Sequence, residues 1–210
     1  MYKNFFKRLL DFTIALCGLP FVALIFVVVA PLIYLEDRGP VFYNAPRRGK
    51  DGKTFKMYKF RSMKVNSPDL KSADGSTYNG DDDPRVTKIG RILRKTSLDE
   101  TPQLLNILKG DMSIIGPRPT LATKPLSELQ PERLKRYEMR PGLTGYSQAY
   151  FRNSITQDEK FKHDIYYIEN VTFLMDIKIF IQTAMSVLRR KNIYVNQEMR
   201  TEKAEEKTAL

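Results

Sequence analysis

The chain contains one cysteine and one histidine in 210 residues. With Cys17 alone, no intrachain disulfide can form and no cysteine-built zinc site is available. With His163 alone, there is no histidine pair for a zinc centre, and a solitary histidine is ordinarily a surface or packing residue. Nucleophilic and proton-transfer chemistry therefore falls to Asp, Glu, Ser, Lys or Tyr. Charge is also absent from one long stretch, since Phe12 to Leu35 holds no charged residue over 24 positions. Acidic residues are few relative to basic ones, 24 Asp and Glu against 35 Lys and Arg, for a net charge of +11. Such a balance calls for an anionic partner: lipid, nucleic acid or a phosphorylated substrate. No nucleic-acid motif and no internal repeat is found. The length suits one domain, or one domain with an anchor.

As a helix, the uncharged run would be about 36 Å long, enough for a hydrocarbon core of roughly 30 Å. It is too long for a signal peptide and no small-residue cleavage pattern follows it. Its flanks conflict with a simple span. Lys3, Lys7 and Arg8 precede it, and from Arg38 to Lys64 there are nine basic residues against one acid, Asp51. Both flanks therefore read as cytoplasmic. A re-entrant helix–break–helix satisfies both, with the bend at Leu19-Pro20, where proline removes a backbone donor. Pro31 is a second kink or the start of the exit, and a tilted single span is the alternative. The expected organisation is an anchor over 1–37, a catalytic domain over 38–197 and a charged, disordered tail over 198–210.

The most informative feature is Asp99-Glu100, an adjacent carboxylate pair inside a basic stretch. Arg85, Lys88, Arg91, Arg94 and Lys95 precede it; Lys109 and Arg118 follow. A short helix is expected from Thr101 as N-cap, through Pro102 in its first turn, to Gly110 as its stop. Carboxylates ahead of a helix N-terminus and ringed by cations suit phosphoryl chemistry. Ser97-Leu98-Asp99-Glu100 also fits a capping box, although Pro102 would then sit inside the helix and lose a hydrogen bond.

Elsewhere, Val41-Phe42-Tyr43 and Thr54–Phe60 read as strands around a Gly49–Gly52 turn. Asn66–Asp83 reads as a mobile loop. Val86–Leu93 is amphipathic, with Ile89, Ile92 and Leu93 on one side and Lys88, Arg91 and Lys95 on another. Met112–Ile115 is extended. Pro117-Arg118-Pro119 restricts the backbone around a guanidinium, which favours bidentate phosphate binding. Arg140-Pro141-Gly142 is a second stiff turn. Phe173–Leu188 is an amphipathic helix whose stripe of Phe173, Ile177, Phe180, Ile181, Ala184 and Leu188 suits either a membrane interface or a core. The fold class is thus helix-rich α+β, with a re-entrant membrane element, amphipathic interfacial helices and a small β element.

Asp83-Pro84-Arg85-Val86-Thr87-Lys88-Ile89-Gly90-Arg91, Ser97-Leu98-Asp99-Glu100-Thr101-Pro102-Gln103, Lys109-Gly110-Asp111-Met112-Ser113 and Gly116-Pro117-Arg118-Pro119 together resemble the bacterial sugar transferase family, the monotopic phosphoglycosyl transferases. The likeness extends to Lys7-Arg8 and Asp11, Gly39-Pro40-Val41-Phe42, Met57–Met63 and Arg140-Pro141-Gly142, and more weakly through Phe161–Ile179. The chain looks like a minimal member without additional N-terminal membrane helices. At its anchor, Leu19-Pro20 falls one turn before the position of the family's usual Ser-Pro break.

The resemblance implies transfer of a sugar phosphate from a nucleotide diphosphosugar, with uracil as the base, to a membrane polyprenyl (undecaprenyl) phosphate, releasing nucleoside monophosphate. It implies Asp99 as nucleophile and metal ligand, Glu100 as its acidic partner and Arg118 as a phosphate-binding residue. Lys59, Arg91 and Arg94 are further phosphate-binding candidates. It implies Mg²⁺, which suits a site of hard oxygen ligands, and a place on the cytoplasmic face of the bacterial inner membrane. Two other readings compete. A metal-dependent glycosyltransferase would use Asp81-Asp82-Asp83 and release nucleoside diphosphate, and a non-catalytic basic membrane adaptor would not depend on Asp99.

Overall fold

The computed structural model describes residues 2–70, 78, 80, 82–123 and 125–189. The charged tail, Arg190-Lys191, Asp81 and much of the loop expected over Asn66–Asp83 lie outside the described residues. Helices α1 (Lys7–Asp37), α2 (Lys88–Thr96), α3 (Gln103–Lys109), α4 (Pro131–Leu134), α5 (Tyr146–Tyr150), α6 (Gln157–Asn170) and α7 (Phe173–Leu188) surround two small sheets. Strands β1 (Ala45–Arg48), β2 (Thr54–Met57) and β4 (Thr120–Leu121) form an antiparallel sheet in the order β2-β1-β4. Strands β3 (Ser113–Ile115) and β5 (Gly142–Thr144) pair in parallel. The helix-rich α+β class read from the sequence is what is found.

α1 is helical over its whole length, with Pro20 and Pro31 inside it. The expected break at Leu19-Pro20 is not an interruption of helical structure, so any bend there is a kink within one helix. Both of its ends are tied to the same body. At the first end, Lys7 Nζ pairs with Asp176 Oδ2 at 2.6 Å, and Arg8 donates to the carbonyls of Ile107 and Leu108 that close α3. Asp11 accepts from Ser113 Oγ and the Ile114 amide, satisfying a donor on β3 that has no strand partner there. At the other end, Glu36 accepts the Lys88 and Ile89 amides at the start of α2, and Asp37 pairs with Arg61. Between these ends Phe21, Leu24, Val27 and Val28 are exposed.

Two apolar clusters hold the body together. One gathers Ile107, Met112, Ile114, Ile115, Tyr167, Ile168 and Ile179 with Ala15 of α1. The other packs Val29 and Ile33 of α1 against Phe60 and Leu93. The stripe on α7 faces outward: Phe173, Ile177, Phe180, Ile181 and Leu188 are exposed, while Asp176 and Ile179 point inward. Core packing therefore does not explain it. On α2, Leu93 is buried and Ile92 is exposed, so the apolar side is narrower than the sequence pattern suggests. The strand expected at Val41–Tyr43 reduces to one bridge, Phe42 opposite Phe60.

α2 lies on the backbone of Ser62, and Gly90 permits it. A Cβ at Gly90 would sit 2.0 Å from the Ser62 carbonyl oxygen, a contact with main chain that cannot swing aside. The same approach lets the Thr87 amide donate to Ser62 O while the Thr87 side chain caps α2 at the Gly90 amide. Gly90→Ala should lower stability by about 1–3 kcal/mol through overpacking. Chemical denaturation of the detergent-purified protein measures this, and a neutral substitution would contradict the described packing.

Candidate active site

The pair Asp99-Glu100 is delivered by a change of helix direction. α2 ends at Ser97, which adopts a left-handed conformation with φ of 59°. The chain then forms a single 3₁₀ turn over Leu98–Glu100 before α3 begins. Leu98 packs on the second apolar cluster, which turns Asp99 inward; its side chain is 3% exposed. The capping box is not formed, because the Ser97 side chain caps nothing there. Thr101 is not an N-cap acceptor either: its hydroxyl donates to Leu98 O, and α3 begins at Gln103 after Pro102. Gly110 does end α3, with φ of 91°.

Lys59 arrives from the segment after β2. The Phe60 amide donates to Asp99 O at 2.9 Å, and the Tyr58 amide to Asn106 Oδ1 at 2.9 Å, so the backbone on both sides of Lys59 is fixed to the turn and to α3. Its Nζ lies 2.7 Å from Asp99 Oδ2 and 3.2 Å from Glu100 Oε1. Arg94 donates to Ser62 Oγ and adds positive field at Asp99. Arg118, exposed on its proline-flanked loop, adds to that of Glu100. The loop is held by hydrogen bonds from the Gly142 amide to Pro117 O and from the Arg118 amide to Asp164 Oδ2.

These surroundings divide the two acids. Burial pushes the Asp99 carboxyl up, and the charge of Glu100 adds to this; Lys59 and Arg94 oppose it without cancelling it. Burial also acts against ionised Glu100, but Lys59, Arg118 and Arg152 outweigh it and hold Glu100 below its ordinary value. Lys59 is raised because the two carboxylates outweigh its own burial. The sequence placed both carboxylates among cations; in the structure the cations hold Glu100 below its ordinary value but do not overcome the effect of burial on Asp99.

Of the sequence-predicted residues, Asp99, Glu100, Lys59, Arg94 and Arg118 are gathered. Arg91 lies exposed on the outward side of α2 with Lys88 and Lys95, apart from this group. Arg140 is used structurally, donating to Gly110 O. Three contributors lay outside the site residues expected from the sequence. Arg47 on β1 feels both Arg118 and Glu100, Arg152 feels Glu100, and buried Asn106 ties Tyr58 N, Lys56 O and Asp111 together. Arg47-Arg48 on a strand was the one available signal, since successive residues face opposite sides.

A metal here has two adjacent carboxylates to use. Lys59 engages one oxygen of each, leaving the second oxygen of each carboxylate for another ligand. Among the described residues no group of three or more His, Cys, Asp or Glu could by itself hold a metal. Two carboxylate oxygens suit Mg²⁺, which commonly takes one or two carboxylates together with phosphate oxygens and water. The acidic triplet fits less well. Asp83 is fully buried in a two-point pair with Arg85, and Asp82 accepts from the Tyr78 hydroxyl.

Removing the Lys59 charge should raise the titration midpoints of both Asp99 and Glu100, because Lys59 lowers each of them. Carbon-13 NMR of labelled carboxyl groups in Lys59→Gln, compared with the unaltered protein in detergent, measures this. Unchanged midpoints would mean that Lys59 does not control the pair.

Residues 2–190 match the profile of the family described as Bacterial sugar transferase. The chain is 40% identical over 187 residues to the uncharacterized sugar transferase EpsL of Bacillus subtilis, covering 89% of each protein. It is 39% identical over 210 residues to the undecaprenyl-phosphate galactose phosphotransferase of Salmonella typhimurium, covering 91% of this chain and 42% of that protein. It is 35% identical over 198 residues to the undecaprenyl-phosphate glucose phosphotransferase of Komagataeibacter xylinus, covering 90% of this chain and 37% of the relative. The chain thus spans under half of these two larger relatives and nearly all of the smaller one.

Proposed function

The chain belongs to the bacterial sugar transferase family, and we propose that it is a phosphoglycosyl transferase moving a sugar 1-phosphate from a nucleotide diphosphosugar, of the UDP type, to undecaprenyl phosphate. The observation that carries this reading is the buried Asp99 beside Glu100, with Lys59 bridging both and the charge of Arg118 acting on Glu100. The names of the Salmonella and Komagataeibacter relatives support the acceptor.

In the proposed reaction, a carboxylate oxygen of Asp99 attacks the phosphorus that bears the sugar. The bond from that phosphorus to the bridging oxygen breaks, and nucleoside monophosphate leaves with that oxygen and its electron pair. An acyl phosphosugar remains on Asp99. A phosphate oxygen of the polyprenyl phosphate then attacks the same phosphorus, and the Asp99 carboxylate is regenerated as leaving group. Lys59 holds the carboxylate in place, and Lys59 and Arg118 offset its repulsion from the incoming diphosphate. Glu100, held ionised, keeps the positive charge of Lys59 shared. Mg²⁺, held by Asp99 with the substrate phosphates, would supply further charge neutralisation at the diphosphate. The glycosyltransferase alternative loses support from the buried Asp83–Arg85 pair.

The site is proposed to lie on the cytoplasmic face of the bacterial inner membrane, with α1 entering and leaving through that face. A straight helix of this length would extend about 46 Å, yet residues at both of its ends bond to one body while the apolar middle is exposed. Single cysteines at Lys3 and Lys50, in a Cys17-free background, should show the same accessibility to an impermeant reagent in intact cells. Opposite accessibility would remove the re-entrant reading.

The test of the chemistry is incubation with Mg²⁺ and a UDP-sugar, without acceptor, followed by mass spectrometry. A gain of one phosphosugar on the peptide containing Asp99, with equimolar UMP, is expected. Asp99→Asn should abolish turnover, and release of UDP would refute the mechanism. Arg118→Lys keeps the charge but loses the planar fork, so turnover should fall at least tenfold with the fold intact.

The acid limb of kcat/KM should reflect the raised Asp99 carboxyl. Activity requires the carboxylate, so it falls as pH drops through a midpoint above the ordinary Asp value of about 3.9. Glu100→Gln removes a negative neighbour and should move that limb to lower pH in whatever activity remains. A limb that stays in place would separate Glu100 from the Asp99 titration.

A further inference from the structure

Behind the Arg118 loop lies a cleft of about 270 Å³ whose walls include Arg48, Arg133, Arg136, Tyr137 and Phe161. The mechanism above uses none of these residues. Its lining is specific: three guanidinium groups, two aromatic rings and one carboxylate, Asp158, which pairs with Arg133 at 3.1 Å. Arg48 lies 5.9 Å from the Tyr137 ring centroid, and Arg133 and Arg136 lie at 5.9 and 5.8 Å from that of Phe161. The Tyr137 ring is fixed by a 3.0 Å hydrogen bond between its hydroxyl and Thr120 Oγ1. Arg136 Nε is buried and finds no hydrogen-bond partner among the described residues. Aromatic rings with guanidinium groups over them combine stacking surface and positive charge, which suits a planar heterocycle attached to an anion.

Three connections tie this cleft to the reaction centre. β4 begins two residues after Arg118, and its Thr120 pairs with Arg48 across the sheet. Consecutive residues of β1 face opposite ways, so Arg47 lies in the field of Arg118 and Glu100 while Arg48 lines the cleft. Buried Asp164 accepts from both the Arg118 amide and the Arg136 guanidinium, so one carboxylate holds the phosphate-facing loop and the cleft wall together. The first turns of the chain are tied elsewhere. The cleft is at the start of α6, whereas Ile168, near the end of that helix, bonds Lys3 beside α1. From Phe161, the last cleft residue on α6, to Ile168 the helix rises about 10 Å.

We infer that this cleft receives the nucleoside of the donor, with the base against Tyr137 and Phe161 and the diphosphate running out past Arg118 toward Asp99. The inference rests on the proposed phosphoglycosyl transfer. The sugar-bearing phosphorus must reach Asp99, so the nucleoside, at the other end of the diphosphate, extends beyond Arg118. At about 270 Å³ the cleft is somewhat below the roughly 300–1,000 Å³ typical of drug-sized ligands. It therefore suits part of a nucleotide diphosphosugar and not the whole.

Two exposed positions test this without disturbing Asp164. Arg133→Ala removes a cation from the wall, and Thr123→Phe narrows the cleft from its rim. Each full-length variant is titrated with UMP, uridine and inorganic phosphate by calorimetry, and assayed for the KM of the UDP-sugar and of undecaprenyl phosphate. For both variants the UMP Kd and the donor KM should rise tenfold or more, with kcat changing less than about twofold and the acceptor KM unmoved. Thr123→Phe should also weaken uridine, and inorganic phosphate should bind both variants as it binds the parent. If donor KM and UMP Kd stay at parental values in both variants, the cleft is not the nucleoside site, although the transfer reaction stands. If the parent forms no phosphosugar adduct and releases no UMP, the functional reading itself fails, independently of the cleft variants.

Discussion

Lys59 stands between two carboxylates that would otherwise repel one another in a buried turn, and the remainder of the site depends on that one ammonium group. Its position comes from main chain: Phe60 N to Asp99 O on one side and Tyr58 N to Asn106 on the other. The constraint is costly to disturb, since removing one member of a buried charged set typically costs about 3–5 kcal/mol. It also explains the unequal acids. Asp99 is the more buried and sits nearest the amine, while Glu100 is partly open and collects the fields of Arg118 and Arg152. A buried, raised carboxyl with a charged neighbour held down is a recurring arrangement at reactive sites.

The long apolar helix is part of the same construction. Its first turns close α3 through Arg8 and complete the edge of β3 through Asp11. Its last turn caps α2 through Glu36 and fixes Arg61 through Asp37. α2 leads directly into the Asp99 turn, and α3 leaves it. The long apolar helix therefore braces both elements that flank the Asp99-Glu100 turn, α2 before it and α3 after it.

The cationic character of the chain divides into three uses. Some residues are structural, such as Arg85 on Asp83 and Arg140 on Gly110 O. Others remain on outward faces, as Lys88, Arg91 and Lys95 do. A third set, Lys59, Arg118 and Arg47, lies in the field of the acidic turn, and Arg48, next to Arg47 on β1, lines the cleft beside β4. Net charge alone could not separate these uses, because each requires knowledge of what lies opposite the guanidinium.

Local chemistry determined what was legible in the sequence. An uncharged run between basic flanks, a glycine stop after α3 and an acidic pair among cations are features that contiguous residues specify by themselves. Family likeness came from the same contiguous blocks. Tertiary structure decided the rest. Arg94 was expected near the pair and Arg91 with it, yet helical geometry turns only the first toward the turn. Thr101 could have capped α3, but Ser97 reversed the chain early and left a 3₁₀ turn instead. Arg47, Arg152 and Asn106 act across sequence separations of roughly fifty residues, through contacts no local pattern encodes. The stripe on α7 was plain in the sequence, and its direction was not, since either face of an amphipathic helix can meet an apolar partner. Here Asp176, buried against Lys7 and Tyr167, fixed which side turns inward.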